Sequence, residues 1–367
     1  MSDKKRRVTV VTTWFPSEAQ PAQAPFNLNH AQAIALDSDV AVIHVRLGSS
    51  APDVNEVYGG IRVQRRSLSP RHPLRSARML VAIARAVRAS DILHTMAFSS
   101  ALVAAVALPF SRPAWVHTEH WNGVTNPASV SRTWERLAWM RRVLRRPRHL
   151  TAVTGQLGAV LSELSGGRPV DVVPCVVENP RPVIQRDPAG IRMVGVGFLV
   201  PRKNPLMAVD VVAELAKERP DVSMTWVGGG PLQADVEAES RRLGVADRFT
   251  LTGMVDPDAV FEYFEKANLF FLPTEQENFF TAAAEALSAG LPVVAGRVGG
   301  FTDYIDESNG VITDDLTVAG YTAAILRAVD GLSDVPSATL AEPIRERFSR
   351  RRIADQFGAI YAAVTAG

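Results

Sequence analysis

The chain has 367 residues, of which 47% are hydrophobic, and its mean hydropathy is +0.04. This length is sufficient for two domains, and the balance fits a soluble globular protein without long disordered termini. The single cysteine, Cys175, excludes an internal disulfide and a metal cluster built on thiolates. The most apolar stretch, residues 97–110, is too short to span a bilayer and predicts a buried helix. No secretion signal follows the basic start, so we expect a cytoplasmic protein.

Charge is distributed unevenly along the sequence. Residues 1–190 hold 24 Lys and Arg against 13 Asp and Glu, whereas residues 191–367 hold 16 against 25. A basic first half indicates an anionic partner. Seven arginines lie between Arg132 and Arg148 among apolar residues, which predicts a basic amphipathic helix. The arginines of this helix either form a solvated surface or bind an anionic membrane or an anionic acceptor.

Strand and helix patterns alternate along the first half. Strands are predicted at 8–13, 40–45, 91–94 and 114–120, and helices at 27–36, 76–89 and 100–108. Such alternation predicts a doubly wound parallel sheet, whose ligands bind at the carboxyl ends of the strands. His94 and His120 fall at such ends. His120 is either a core residue whose ring nitrogens are hydrogen-bonded within the protein or a residue that contacts the substrate.

A proline-rich linker over 170–190 precedes a second region of the same kind. Its predicted strands are 192–197, 223–227, 249–252, 269–272 and 292–295. Its predicted helices are 205–218, 232–243 and 257–266, followed by a helix capped by Thr281 and ended by Gly290. A last helix is predicted at 349–364. The sequence therefore predicts two α/β domains.

Two glycine-rich turns follow strands of this second domain. One runs from Gly195 and Gly197 to the basic pair Arg202-Lys203, as a diphosphate site requires. The other, Gly228-Gly229-Gly230, would let a nucleobase approach the backbone. Taken singly, each is equally well explained as a tight turn.

Two glutamates flank the start of the helix at 281. Glu277 lies in the preceding loop and Glu285 about one turn inside the helix, so both carboxylates can converge on one ligand. Carboxylates accept hydrogen bonds from vicinal diols, and a helix N-terminus favours a diphosphate. The alternative is a surface glutamate and a solvated loop charge. The D-x-D triplets at 37–39 and 256–258 are better explained as turn and cap residues than as metal ligands.

Several motifs together resemble glycosyltransferase family 4, the retaining enzymes of the GT-B fold. The resemblance rests on Gly197-x-Leu-Val-Pro-x-Lys203, Gly228 to Pro231, Leu251-Thr252-Gly253, Glu277-x7-Glu285, Gly299-Gly300 and Asn309-Gly310. Thr118-Glu119-His120 matches the first domain more loosely. The resemblance implies two Rossmann-like domains facing a central cleft. These are an acceptor domain at 1–175 with a linker to about 190, a nucleotide-sugar domain at 191–345, and a C-terminal helix at 346–367 that crosses back onto the first.

The resemblance also implies roles for individual residues. Glu285 would hold the ribose, Glu277 the donor sugar and Lys203 the diphosphate. Met254 would flank the base, and His120 would face the sugar near the bond that breaks. The implied catalytic residues are thus His120, Glu277 and Lys203, and the implied donor-binding set is Gly197, Arg202, Lys203, Gly228, Gly229, Gly230, Met254, Glu277, Asn278, Phe279, Phe280, Thr281 and Glu285.

The implied reaction is metal-independent transfer of a sugar, with retained configuration, from a UDP-sugar or GDP-sugar to an acceptor hydroxyl. The acceptor would be a small molecule or lipid-linked, with no nucleic-acid partner and no bound cofactor. Contact with the inner membrane face through Arg132–Arg148 is an additional hypothesis. A sugar-nucleotide epimerase or hydrolase, or a silent binding partner, remains an alternative. The sequence departs from the family pattern at Phe198, where Arg is usual, at Phe280, where Gly is usual, and at Asp303, where Glu is common.

Overall fold

The computed structural model describes residues 5–110, 113–127 and 131–366, without the side chain of Asn122. The chain forms two compact units. Unit 1 comprises the described residues up to Val176 together with those from Phe348 onward, and unit 2 comprises Val177–Arg347.

Within the described residues, unit 1 contains an eight-stranded sheet in the order β3-β4-β2-β1-β5-β6-β7-β8. All neighbours are parallel except the antiparallel hairpin of β3 and β4. The strands are apolar on both faces because helices cover both sides of a parallel sheet. Their bounds are β1 Arg6–Thr12, β2 Ser38–Leu47, β3 Val54–Tyr58, β4 Ile61–Leu68, β5 Ile92–Met96, β6 Trp115–Glu119, β7 His149–Ala152 and β8 Val170–Val172.

The first five helices also belong to unit 1. They are α1 Pro25–Asp37, α2 Pro73–Arg88, α3 Phe98–Ala107, α4 Arg132–Arg136 and α5 Gly155–Ser165. The hairpin of β3 and β4 is absent from the sequence prediction. Its signal was the Gly59-Gly60 turn, where both residues have positive φ, as tight hairpin turns require.

The prediction of one continuous basic helix over Arg132–Arg148 is wrong. Helix α4 ends at Arg136 with Leu137 as its C-cap, and a 3₁₀ segment follows over Ala138–Arg145. Arginine side chains fix this broken path. Arg141 donates to the carbonyl of Val124 at 2.9 Å, and Arg146 donates to that of Ala105 at 2.9 Å. These arginines therefore tie the segment to the rest of unit 1 instead of forming one solvated face.

Unit 2 has a six-stranded sheet among its described residues, in the order β11-β10-β9-β12-β13-β14, with every neighbouring pair parallel. Its strands are β9 Ile191–Val196, β10 Val222–Val227, β11 Phe249–Leu251, β12 Leu269–Phe271, β13 Val293–Gly296 and β14 Gly310–Thr313. Its helices are α6 Pro205–Leu215, α7 Gln233–Arg242, α8 Val260–Phe264, α9 Thr281–Ala289, α10 Val318–Leu332 and α11 Ser337–Arg347.

The last helix, α12 (Arg350–Ala366), returns to unit 1 and packs against α1. The hydroxyl of Tyr361 lies 2.6 Å from Nδ1 of His94, and the ring of Phe357 meets the rings of His30 and His94 edge-on at 5.2 Å. The prediction of two doubly wound α/β regions with a returning C-terminal helix is confirmed. Across the residues that the structure describes, no helix is both long and apolar enough to cross a bilayer.

Candidate active site

The carboxyl ends of the strands in unit 2 bring five loops to one edge of its sheet. Because all neighbouring strands are parallel, the residues that follow β9, β10, β11, β12 and β13 must lie at the same edge. These loops carry the predicted donor-binding residues of unit 2, from Gly197 to Phe280. Ligands of open parallel sheets bind at this edge.

Three charged side chains form a cluster between two of these loops. The ammonium of Lys203 donates a hydrogen bond to the carboxylate of Glu277. Arg202 lies 3.3 Å from the same carboxylate, and Thr274 donates to it at 3.1 Å. The side chains of Lys203 and Glu277 are only 11% and 13% exposed. The structure thus joins two residues to which the sequence assigned separate tasks. The cluster itself holds two cations and one anion.

The glycine turns lie against each other beside this cluster. Gly228 has φ +136°, and a Cβ there would meet the carbonyl oxygen of Gly197 at 2.2 Å. A Cβ on Gly230 would meet the carbonyl oxygen of Leu199 at 2.5 Å, and one on Gly229 would lie 3.2 Å from Met254. Side chains are therefore excluded from the turn, so backbone lines this part of the edge. Met254 is 62% exposed next to it.

Glu285 stands one turn inside α9 with its side chain partly buried. Burial raises the pKa of its carboxyl from 4.5 to about 7. Among the described residues, no hydrogen-bond donor or cation contacts this carboxyl. A desolvated carboxyl without a partner reduces stability, so its position calls for a function.

The prediction that Thr281 caps α9 is wrong. Thr281 is the first helical residue, and Phe280 occupies the N-cap with φ 55° and no capping side chain. The ring of Phe280 packs edge-on against Phe270 and Phe301, with centroids 5.8 and 5.1 Å apart. Gly290 ends the helix in the left-handed region, as the sequence predicts.

Sequence reasoning missed two residues that shape this edge. Thr274 is fully buried and contacts both Glu277 and the carbonyl of Arg202. The hydroxyl of Tyr304 lies 2.6 and 2.9 Å from the carbonyls of Phe279 and Phe280, so it holds the turn that starts α9. Thr274 stands three residues before Glu277, but nothing in the spacing of Tyr304 pointed to this role.

The left-handed backbone at Phe280 gives a testable consequence. Replacing Phe280 with Ala removes a buried ring at a cost of about 3–5 kcal/mol and leaves an L-residue in a region that costs roughly 1–2 kcal/mol. Replacing Phe280 with Gly also removes the ring, but glycine adopts the left-handed conformation without this cost. We therefore expect Phe280→Gly to be about 1 kcal/mol more stable than Phe280→Ala in urea unfolding.

The matched control is Phe357, which is buried in the middle of α12. There the order should reverse, with Gly about 1 kcal/mol less stable than Ala because the position is helical. If the Gly and Ala variants have the same order of stability at both positions, Phe280 does not have a left-handed backbone conformation.

His120 lies in unit 1, directly after β6. Its Nε2 is 3.2 Å from Nδ1 of His30, and its ring stacks on Phe26 at 4.8 Å. Burial lowers its pKa well below 6.5, helped by the neighbouring histidines. The buried carboxylate of Glu119 accepts hydrogen bonds from the amides of His120 and Trp121 at 3.0 and 2.9 Å. His120 is therefore a neutral imidazole on a fixed turn. His94 is fully buried between Tyr361 and Thr118 and is a core residue.

Known proteins resemble both parts of the chain. The sequence model described as "Glycosyltransferase Family 4" matches residues 28–181, and that described as "Glycosyl transferases group 1" matches residues 190–330. A 2-deoxystreptamine glucosyltransferase of Streptomyces kanamyceticus is 33% identical over 61% of this chain and 60% of its own length. A D-inositol 3-phosphate glycosyltransferase of Acidothermus cellulolyticus is 34% identical over 38% of this chain and 34% of its own length.

Solved structures match the fold over nearly the whole chain. The sucrose-phosphate synthase of Thermosynechococcus elongatus superposes with a TM-score of 0.79 at 21% identity, over 99% of this chain and 100% of its own. Anabaena HepE in complex with UDP-glucose gives 0.75 at 17% identity, over 98% and 100%. Two doubly wound units with a returning C-terminal helix define a protein of the GT-B fold. Both parts of the chain therefore resemble glycosyltransferases, and the first part resembles those of family 4.

Proposed function

We propose that this protein is a retaining glycosyltransferase whose nucleotide-sugar donor binds at the carboxyl edge of the sheet in unit 2. The observation that carries the proposal is the carboxyl of Glu285, which is desolvated and has no partner among the described residues. Glu285 lies one turn inside α9, the helix that begins shortly after Glu277 of the Lys203-Glu277 cluster. A ribose has two adjacent hydroxyls, and such a carboxylate can accept a hydrogen bond from each of them. These hydrogen bonds would offset the free-energy cost of desolvating Glu285, and this relief would contribute to nucleotide binding.

The cations next to Glu277 suit the departing diphosphate. Lys203 and Arg202 both contact Glu277, and a diphosphate can take up their remaining donors with the first amides of α9. Charge on the leaving group is stabilised by fixed cations without a metal ion. Glu277 then orients the sugar, while the glycine turn at 228–230 and Met254 accommodate the base. The assignment of His120 to the sugar rests on the resemblance of Thr118-Glu119-His120 alone.

The comparisons support a choice of substrates. Anabaena HepE is described with UDP and with UDP-glucose, and one relative from Mycolicibacterium smegmatis is described as GDP-mannose-dependent. The relatives named above are described as acting on 2-deoxystreptamine and on inositol 3-phosphate. Both acceptors are polyhydroxylated six-membered carbocycles. We therefore favour a UDP-sugar donor and an acceptor hydroxyl on a cyclitol, bound by unit 1.

A two-stage experiment tests this proposal. Thermal shifts with UDP-glucose, UDP-N-acetylglucosamine and GDP-mannose identify the donor. Release of nucleoside diphosphate is then measured with and without 2-deoxystreptamine and inositol 3-phosphate, and the anomeric configuration of the product is read by proton NMR. The proposal predicts acceptor-dependent release and an α-configured product from an α-donor. Equal release without acceptor indicates a hydrolase, and no shift with any nucleotide sugar refutes the donor site.

A further inference from the structure

We propose that unit 1 carries an anionic-phospholipid docking surface at the amino edge of its sheet, defined by Phe110, Arg145, Arg146 and Arg148. This surface is separate from the proposed donor site and does not depend on the proposed function. Its centre is a cavity of about 650 Å³ lined by these residues with Pro109, Pro113 and Trp115. None of these seven lining residues, all in the described part of the chain, is acidic.

The position of the cavity separates it from His120. Trp115 is the first residue of β6, and Arg148 directly precedes β7, so the cavity lies where these parallel strands begin. His120 follows the other end of β6. Five residues of strand separate the two edges by roughly 16 Å. An acceptor group that meets His120 therefore does not fill this cavity, which is left open to a different ligand.

Arg146 forms a rigid cationic wall. Its guanidinium lies 5.8 Å from the centroid of Trp115. It donates to the carbonyls of Ala105, Leu108 and Pro109 at the end of α3. These carbonyls carry no formal charge, so Arg146 keeps its net positive charge at the cavity wall.

The neighbouring arginines retain donors for a phosphate. Arg145 and Arg148 each contact a single carbonyl, of Leu164 at 3.5 Å and of Val364 at 3.4 Å. Within the part of the chain that the structure describes, neither is paired with a carboxylate. The adjacent His149 lines an adjoining depression that shares Arg148, and its Nε2 lies 2.8 Å from Oδ2 of Asp171. Guanidinium groups with open donors bind phosphate oxygens well.

An exposed apolar rim favours a membrane over a soluble phosphate. The ring of Phe110 is 97% exposed at the mouth of the cavity, and Val106 on the last turns of α3 is 64% exposed. A free phosphate gains nothing from an exposed aromatic ring. At a bilayer, the ring enters the boundary between headgroups and acyl chains while the arginines meet lipid phosphates. The surface thus has the two components of a peripheral anchor.

Vesicle sedimentation of the full chain tests the surface. We expect the wild type to bind vesicles of phosphatidylcholine with phosphatidylglycerol at low salt, to ignore pure phosphatidylcholine, and to lose binding as salt rises. The double variant Arg145→Gln/Arg148→Gln should bind on the order of 30-fold more weakly, since each arginine contributes roughly fivefold. Phe110→Ser should also weaken binding while keeping every charge.

The control is Arg241→Gln/Arg327→Gln, which removes two exposed arginines from unit 2 and should bind as the wild type does. Thermal unfolding confirms that each variant is folded. Equal binding by wild type and by the cavity variants overturns the proposal. So does a wild type that ignores anionic vesicles yet binds inorganic phosphate in NMR titration, because the cavity is then a small-anion site.

Discussion

Glu285→Gln is expected to stabilise the protein at pH 8 by about 3 kcal/mol. Burial raises the pKa of this carboxyl from 4.5 to about 7, so the folded state resists its ionisation. Below pH 4.5 both states hold the proton and Glu285 costs nothing. Between pH 4.5 and 7 the unfolded state ionises while the folded state keeps the proton, so the destabilisation builds over this window and is complete above pH 7. Glutamine has the same shape without this cost.

Urea unfolding of both proteins from pH 5 to pH 8 measures the effect. The difference between the two curves should be small at pH 5 and grow toward pH 8, because all other titrations are common to both. Glu218→Gln, on an exposed side chain of unit 2, is the control and should show no such growth. If the difference in free energy of unfolding between the two proteins does not change with pH, the carboxyl of Glu285 is not desolvated in the folded state.

The same substitution is expected to weaken donor binding while it strengthens the fold. Loss of hydrogen bonds to a charged group costs about 1.5–3 kcal/mol, so affinity for the nucleotide sugar should fall roughly 10-fold to 150-fold. In the wild type, affinity should rise with pH up to about 7, since the ionised carboxylate accepts the ribose hydroxyls. An intact nucleotide sugar is the right ligand, because its diphosphate has no proton that titrates in this range. Stability gained with unchanged affinity indicates a structural position.

Lys203→Met is expected to lower turnover roughly 10²-fold to 10³-fold, the range for removing one fixed donor from a developing negative charge. The fold should survive, because Glu277 keeps Arg202 at 3.3 Å and Thr274 at 3.1 Å. Because the charge on the diphosphate increases as the glycosidic bond breaks, kcat should fall more than KM rises. Steady-state kinetics with the donor found in the screen measure both.

Lys217→Met is the matched control. Lys217 is 67% exposed and, among the described residues, pairs only with Glu214 on the neighbouring turn, so its removal should leave both kinetic constants unchanged. Wild-type turnover in Lys203→Met contradicts the assignment of Lys203 to the leaving group.

The sequence was sufficient to predict the alternation of strands and helices because buried parallel strands are short apolar runs between turn signals. It also placed Glu277 and Glu285 at the start of one helix. It could not show that Lys203 and Glu277 form an ion pair, because the residues are 74 positions apart and meet only once β9 and β12 pair. Nor could it show that Phe280 turns its ring into the core.

The basic segment at Arg132–Arg148 shows the limit of periodic patterns. Its spacing favours an amphipathic helix, yet the helix ends at Arg136, and arginines beyond it bond to carbonyls of the neighbouring loop and helix. Such side-chain to backbone bonds depend on tertiary neighbours and leave no trace in the spacing. The desolvation of Glu285 is likewise a tertiary property, visible only when α9 is packed.

A crystal structure of the protein with its nucleotide-sugar donor tests the central claim most directly. We predict that the two ribose hydroxyls donate to the carboxylate of Glu285, and that the diphosphate lies within hydrogen-bond distance of Lys203 at the start of α9. A nucleotide bound with its ribose away from Glu285, or held by unit 1 alone, contradicts the account.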